Sequence, residues 1–145
     1  MRLSESERLT LIGLQLEKAA KNLSQADDMI RLGYYDMAAN RYYYACFHAI
    51  QALLINNGIS CHTHAGTIAE FGKNFILTGA FDVSFGRFIS RLEQLREKGD
   101  YNCAYEIEES EVRLMAEPAH ELLELIKNYL NFNRISLFRY DEDNC

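Results

Sequence analysis

The residues best suited to chemistry fall within residues 36–57, a stretch that is otherwise almost entirely apolar. Arg41, Tyr44, His48 and Gln51 follow one another at steps of three, four and three, so they share one stripe of an α-helix. Arg41 and His48 are two turns apart, about 10 Å along the helix axis. A histidine exchanges protons near neutral pH, and a guanidinium binds phosphate through two parallel hydrogen bonds. The pair therefore suits cleavage of a phosphodiester that brings its own nucleophile, the 2′-hydroxyl of RNA.

The same stripe also has a purely structural interpretation. It could be the solvent face of its helix, although such a face usually carries Lys and Glu and this one has neither. A lone histidine at helical spacing is more often structural than catalytic, and a buried arginine is costly unless it is paired. Spacing alone leaves both interpretations open. No carboxylate pair with metal-ligand spacing accompanies Arg41 and His48, so we expect neither a metal nor a cofactor.

Apolar periodicity predicts the helices that position this stripe. Residues recur at steps of three and four over about 5–32, 36–57, 64–78 and 83–98, and again from Ser110 to about residue 130. Glycines follow the first four segments at positions 33, 58, 79 and 99 and are placed to end them. Pro118 lies inside the fifth pattern and should kink or restart that helix. The predicted fold is all-α, an antiparallel up-down bundle of four to five helices.

Composition sets limits on the class of protein. The chain has 145 residues, 48% hydrophobic and 25% charged, which predicts one globular domain over 1–145 with a core at about 5–131 and a frayed tail at 132–145. Its net charge of −6 argues against non-specific nucleic-acid binding, so RNA or a nucleotide must bind at a local site. The charged N-terminus is no signal peptide and no apolar run could span a membrane. Together with four scattered cysteines, these features predict a cytoplasmic protein.

A family resemblance adds to these observations. The run Asn-Arg-Tyr-Tyr-Tyr-Ala-Cys-Phe-His-Ala at 40–49 resembles the HEPN domain (higher eukaryotes and prokaryotes nucleotide-binding). Further matching pieces are Leu53-Leu54, Gly58, His64 with Gly66, Phe71-Gly72-Lys73 with Phe75, Leu95-Arg96, and Gly99-Asp100-Tyr101. The resemblance covers about 5–131 and is closest to the small stand-alone prokaryotic branch.

The resemblance implies a bundle that is usually a homodimer and often a metal-independent endoribonuclease. Such proteins are often toxins encoded beside a nucleotidyltransferase antitoxin. Arg41 and His48 enclose six residues, within the family's range of four to six. His48 would then be the general acid or base and Arg41 the phosphate clamp. The residues expected to support the site or bind RNA are Asn40, Tyr44, Gln51, His64, Arg96, Asp100 and Tyr101.

Tyr42 departs from the family pattern, because active members commonly carry a small polar residue directly after the arginine. The alternative function is therefore a non-catalytic nucleotide- or RNA-binding helical partner of a nucleotidyltransferase. We also expect a homodimer from the residues alone, since one bundle would not easily cover Tyr42, Tyr43 and Phe47 together with its other apolar faces.

Other constellations give weaker predictions. Glu117 and His120 have the Glu-x-x-His form of di-iron bundles, but a second copy is missing. Cys61 to His64 could ligate zinc, yet no second ligand pair follows. His64 could equally point to solvent or act as a partner of the site. The arginines of the fourth helix, Arg87, Arg91 and Arg96, would form either a solvated face or a phosphate-contacting surface.

Overall fold

The computed structural model describes residues 3–101 and 103–143, with side chains described as far as residue 131. Its elements are α1 (Glu5–Leu32), α2 (Tyr35–Asn56), α3 (His64–Phe71), α4 (Val83–Tyr101) and α5 (Glu109–Asp143). A π-helical turn, Gly72–Ile76, continues α3. No strand occurs among the described residues, and the predicted all-α bundle is confirmed. None of the helices in this part of the chain is both long and apolar enough to cross a membrane.

Both ends of α1 are fixed by local sequence. The Ser4 hydroxyl accepts a hydrogen bond from the Glu7 amide at 3.1 Å, and the Glu7 carboxylate accepts one from the Ser4 amide at 3.3 Å. Gly33 ends the helix at φ +82°, a left-handed conformation that glycine adopts without steric cost. The chain then turns directly into α2, which packs along α1 as the second arm of a helical hairpin.

The centre of the bundle is α2, which contacts α1, α3, α4 and α5. Five alanines on α2 are buried and let neighbouring helices approach closely, namely Ala38, Ala39, Ala45, Ala49 and Ala52. Tyr42 and Tyr43 are completely buried inside the single chain, and Phe47 is partly buried. The expectation that one bundle would leave these two tyrosines uncovered is therefore wrong, because α1, α4 and α5 surround them.

The ends of two helices differ from the sequence-based expectations. The third α-helix ends at Phe71 and passes into the π-helical turn, while α4 continues past Gly99 to Tyr101. Gly99 is thus not a helix terminator. Its missing side chain instead gives room to Ile107, since a Cβ there would lie 3.0 Å from the Ile107 Cδ1.

The fifth helix is longer and more regular than the sequence suggested. It is continuous through Pro118 and reaches Asp143, whereas the apolar register fades near residue 131. The proline costs a single backbone donor, and the buried Ala119, Leu122 and Leu123 that follow it hold the helix against the bundle. The expected frayed tail falls on 132–145, whose side chains lie outside the described residues.

Candidate active site

Arg41 and His48 both face α1, where each meets a side-chain amide. Nδ1 of His48 lies 2.7 Å from Oε1 of Gln15, and Nη1 of Arg41 donates to Oδ1 of Asn22 at 3.0 Å. Gln15 and Asn22 are seven residues apart on α1, as are Arg41 and His48 on α2, so antiparallel packing matches the two pairs. We call these four residues the α1–α2 seam.

The seam fixes the tautomer of His48. An amide oxygen can only accept, so Nδ1 of His48 is the donor to Gln15. In the neutral ring Nε2 is then the unprotonated nitrogen. Partial burial, together with the positive charges of Lys18 and His64, lowers the pKa of His48 below its ordinary value. The side chain is therefore held as a neutral imidazole that can accept a proton at Nε2.

Arg41 has no carboxylate partner among the side chains that the structure describes. Its described hydrogen bond goes to the neutral amide of Asn22, which is itself buried and donates to the backbone oxygen of Lys18. A guanidinium carries five N–H donors, and the bond to Asn22 uses one. The side chain is only partly buried. Arg41 can therefore offer both charge and directed donors to an anion that approaches the seam.

Gln51 lies on the predicted stripe but is turned toward α3. Its Nε2 donates to the hydroxyl of Thr67 at 2.8 Å, and Thr67 is fully buried. This bond ties α3 to α2 and does not involve Arg41 or His48. Tyr44, between the two seam residues in sequence, has its ring centroid 6.3 Å from His48 and is partly buried.

His64 lies at the first turn of α3 and packs on the same aromatic side chains as His48. Its ring centroid is 4.7 Å from Phe47 and 5.8 Å from Tyr44, and Nδ1 is 2.6 Å from the hydroxyl of Tyr43. It is neither isolated nor simply solvated.

The start of α3 is fixed by the Thr63 hydroxyl, which caps the helix by accepting from the Gly66 amide at 2.9 Å. A side chain at Gly66 would place its Cβ 2.7 Å from that hydroxyl, so glycine is required there. The Thr63 cap and Gly66 together fix where α3 begins, and therefore where the side chain of His64 is placed.

Arg96 belongs to a second polar group, buried between α2 and α4. Its guanidinium lies 4.7 Å from the ring centroid of Tyr43 and 5.9 Å from that of Tyr44, and Nη1 is 3.3 Å from Asp100. Glu93 approaches to 3.9 Å. Only 6% of Arg96 is exposed, so a solvated face is wrong for this residue, whereas Arg87 and Arg91 are exposed.

Asn40, Asp100 and Tyr101 complete this group, which we call the α4 cluster (Asn40, Tyr43, Arg96, Asp100 and Tyr101). The amide of Asn40 donates to Asp100 at 3.2 Å, so one carboxylate joins the start of α2 to the end of α4. Burial alone would lower the pKa of Arg96, but Tyr43, Tyr44, a hydrogen bond that Arg96 donates to Tyr101 and the Asp100 charge raise it above its ordinary value. The cluster holds a permanently charged, paired arginine.

Tyr42 points away from the seam. Its hydroxyl donates to Oδ1 of Asp27 at 2.5 Å, and Oδ2 of Asp27 is 2.8 Å from Nε2 of His120 on α5. The residue after Arg41 is therefore a core contact between α1, α2 and α5. His120, one half of the weak di-iron motif, is accounted for by Asp27. Within the described part of the chain no three His, Cys, Asp or Glu side chains form a group that could hold a metal ion.

Sequence reasoning missed the side chains that orient the site. These side chains are Gln15, Lys18 and Asn22, all on α1. The sequence signal that could have indicated them is the seven-residue spacing of the two amides, Gln15 and Asn22, along an amphipathic helix. Thr67 and the hydroxyl of Tyr43 gave no such signal. Cys46 lies in the core, and burial raises the pKa of its thiol to about 12.

Comparison with known proteins identifies the class to which this bundle belongs. The model of the HEPN domain family matches residues 13–129, a range that contains α2, α3, α4 and most of α1. The chain therefore belongs to the HEPN domain family. The match includes every residue of the seam and of the α4 cluster.

The matches to individual relatives cover most of each relative and most of this chain. "Putative toxin MJ0142" of Methanocaldococcus jannaschii is 32% identical over 115 residues, 79% of this chain and 78% of the relative. "Putative toxin MJ0605" of the same organism is 35% identical over 115 residues, covering 79% and 85%. A "UPF0332 protein" of Thermotoga maritima is 30% identical over 125 residues, covering 86% and 95%.

Proposed function

We propose that this protein is a metal-independent endoribonuclease of the toxin type, with His48 and Arg41 as its catalytic residues. The observation that carries the proposal is the α1–α2 seam, which orients a neutral histidine and an arginine without an acidic partner on one face. Membership of the HEPN family and the toxin names of two relatives support the same class.

The chemistry follows from the tautomer of His48. Nε2 removes the proton of an RNA 2′-hydroxyl, and the 2′-oxygen attacks the adjacent phosphorus while the bond to the 5′-oxygen breaks. The products are a 2′,3′-cyclic phosphate and a 5′-hydroxyl. Arg41 holds the phosphate and stabilises the charge that develops on its non-bridging oxygens. The leaving 5′-oxygen needs a proton from a second group, and the His48 of a second copy in a dimer, or water, would be one source of it.

The test compares RNA cleavage by the purified protein with that by His48→Ala and Arg41→Ala. Loss of positioned proton transfer should slow His48→Ala by about 10²–10⁴-fold while its melting temperature stays unchanged. His120→Ala and Arg31→Ala are matched controls, since both side chains are at least half exposed and pair with Asp27 and Asp28 rather than with a residue of the seam. Cleavage should survive EDTA, yield a cyclic phosphate, and stop when the 2′-hydroxyl at the cleavage site is removed. Chelator-sensitive activity or cleavage of DNA would contradict this mechanism.

A second candidate is a non-catalytic module that binds RNA or a nucleotide as the partner of a nucleotidyltransferase. The observation that favours it is the bond from Arg41 to the neutral amide of Asn22, which uses one of five N–H donors and leaves a cation that can bind phosphate whether or not the RNA is cut. A wild-type protein that binds RNA through Arg41 but leaves it intact would support this candidate. Co-purification with a nucleotidyltransferase encoded beside the gene tests the proposed partner in either case.

We also propose a homodimer that joins two seams. Leu11 and Leu14 are exposed on α1 directly beside Gln15, at 36% and 52%, so an apolar surface borders the site. A second copy would bury it through an isologous interface. Light scattering at micromolar concentration should give twice the chain mass, and Leu14→Lys should give a monomer. A monomeric wild-type protein would contradict the dimer but not the chemistry of the seam.

A further inference from the structure

The second proton-transfer group that the proposed reaction requires has a candidate in the same chain. We propose that His64 is the general acid that protonates the leaving 5′-oxygen, in concert with His48 as general base. The inference rests on the proposed ribonuclease function and assigns to one chain a role that would otherwise fall to a partner copy or to water.

Shared aromatic contacts place the two histidines side by side. Phe47 lies 5.5 Å from the ring of His48 and 4.7 Å from the ring of His64, and Tyr44 lies 6.3 Å and 5.8 Å from the same two rings. Both imidazoles are partly buried, so each also reaches the surface. A positive charge on His64 also lowers the pKa of His48. Two imidazoles that share these aromatic neighbours can contact the same bound phosphate.

In each of the two rings a hydrogen bond holds Nδ1, so that Nε2 is the nitrogen that meets the substrate. The Gln15 oxygen holds the proton of His48 on Nδ1, which leaves Nε2 as an acceptor. The Tyr43 hydroxyl lies 2.6 Å from Nδ1 of His64 and can donate to that nitrogen or accept from it, so the contact orients the ring in either protonation state. Burial raises the pKa of Tyr43 and keeps its hydroxyl protonated. In the imidazolium form Nδ1 donates to Tyr43, and Nε2 carries a proton as well.

Charges around the pair come from two other elements. Lys18 on α1 disfavours protonation of His48, while Arg96 and the carboxylates of Glu93 and Glu97 on α4 act on Tyr43, the tyrosine that binds His64. Lys18 thus favours the neutral form of His48, as a general base requires.

The proton balance of the step is complete without another reactant. Nε2 of His48 gains the 2′-hydroxyl proton as the new bond from the 2′-oxygen to phosphorus forms. Nε2 of the His64 imidazolium gives its proton to the 5′-oxygen as the bond from phosphorus to that oxygen breaks, and the neutral ring that remains keeps its proton on Nδ1, where it donates to the Tyr43 hydroxyl. After product release both rings return to their starting states by proton exchange with water. Tyr43 is a positioning residue, since it fixes the orientation of His64 from inside the bundle.

The decisive experiment varies the leaving group. One substrate is an RNA oligonucleotide that the wild-type protein cleaves, and the other is the same RNA with sulfur replacing the bridging 5′-oxygen at the cleavage site. A thiolate leaves without being protonated, so it does not need a general acid. His64→Ala should be about 10²–10⁴-fold slower than wild type on the normal RNA and within about fivefold of wild type on the sulfur-bridged RNA. His48→Ala should be slow on both.

Controls separate the role of His64 from a structural effect. His62→Ala removes an exposed histidine of the same loop and should cleave both substrates like wild type. The pH profile of His64→Ala should lose the alkaline limb and keep the acid limb that reports His48. Tyr43→Phe should slow normal RNA more than sulfur-bridged RNA, with a smaller loss than His64→Ala.

The outcomes distinguish this inference from the proposed function. Equal losses of His64→Ala on both substrates, or no loss on either, would overturn the general-acid role while leaving the ribonuclease intact. If the wild-type protein cleaves neither substrate, the proposed function itself fails and the assignment of His64 fails with it.

Discussion

The α1–α2 seam and the α4 cluster each place one arginine against α2, yet they treat its charge in opposite ways. Arg96 in the cluster is 6% exposed, stacks on Tyr43 and is surrounded by the carboxylates of Asp100, Glu93 and Glu97. Arg41 in the seam is partly buried and binds the neutral amide of Asn22. An arginine that is already neutralised by carboxylates holds helices together, whereas an arginine oriented by an amide remains available to an external anion.

The two regions are connected through neighbouring residues of α2. Asn40 reaches Asp100 in the cluster, and Arg41, the next residue, reaches Asn22 in the seam. Tyr43 binds His64 while packing under Arg96. We infer that the α4 cluster acts as a rigid base that fixes the orientation of α2, on which the candidate active site is built.

The largest expected difference between the regions is in stability. Arg96→Met should lower the free energy of unfolding by about 2–4 kcal/mol, because it leaves the carboxylates around it unpaired, although these are partly exposed. Arg41→Met removes one hydrogen bond to a neutral amide from a partly exposed side chain and should cost about 1–1.5 kcal/mol. Urea denaturation measures both values.

The two variants should affect RNA binding in the reverse order, with the larger loss for Arg41→Met. Arg41→Met should lose binding, whereas Arg96→Met should retain most of it at temperatures where it is folded. Fluorescence anisotropy with a labelled RNA makes the comparison. If Arg96→Met lost RNA binding with its fold intact, the cluster would contact substrate directly and the distinction between the two regions would be wrong.

A single substitution would give the arginine of the seam a carboxylate partner such as Arg96 has in the α4 cluster. Asn22→Asp gives Arg41 an acidic partner at the position of the amide that now binds it. A phosphate must then compete with a charge-assisted hydrogen bond, and RNA affinity should fall about tenfold. Asn22→Leu is the control, since it removes the hydrogen bond without adding charge. Equal affinities of the aspartate variant and wild type would show that Arg41 does not bind the phosphate.

Much of this arrangement could be predicted from the sequence, for physical reasons. The apolar periodicity is a local property, and it gave helices that match the observed α1 and α2 to within a residue at each end. Arg41 and His48 lie on one helix, so their common face followed from helical geometry alone. The structure confirms that both face the same neighbour.

Features that depend on contacts between helices were less predictable. Gln15 and Asn22 meet His48 and Arg41 only because of the register of the α1–α2 hairpin, which the sequence of neither helix determines. Gly99 was interpreted as a helix end, but its small size serves the close approach of Ile107. Tyr42 was expected to need a second chain, yet Asp27 and α5 satisfy it within one chain. In each case a distant residue decided the role of a local one.

Tyr42 offers a sharper test of the contrast between core and site. Tyr42→Phe removes the hydrogen bond to Asp27 while keeping the ring that fills the core, so the free energy of unfolding should fall by about 1–2 kcal/mol. Cleavage of RNA should stay unchanged, because the side chain points away from the seam. Increased cleavage would mean that the departure from the family pattern at this position restrains activity. Thermal denaturation and initial cleavage rates separate the two effects.

The smallest predicted effect concerns the pH dependence of the seam. His48 can act as a base only when it is unprotonated, so cleavage falls as the pH drops through its pKa. Burial, Lys18 and His64 lower that pKa, and activity should therefore persist to lower pH than an ordinary histidine would allow. Lys18→Gln removes one of these positive charges, so the pKa rises and the acid limb of the pH–rate profile moves upward by about 0.2–0.5 unit. Lys21→Gln, an equally exposed lysine on α1, should leave the profile in place. A downward shift for Lys18→Gln, or equal shifts for the two variants, would show that His48 is not the group whose protonation sets the acid limb.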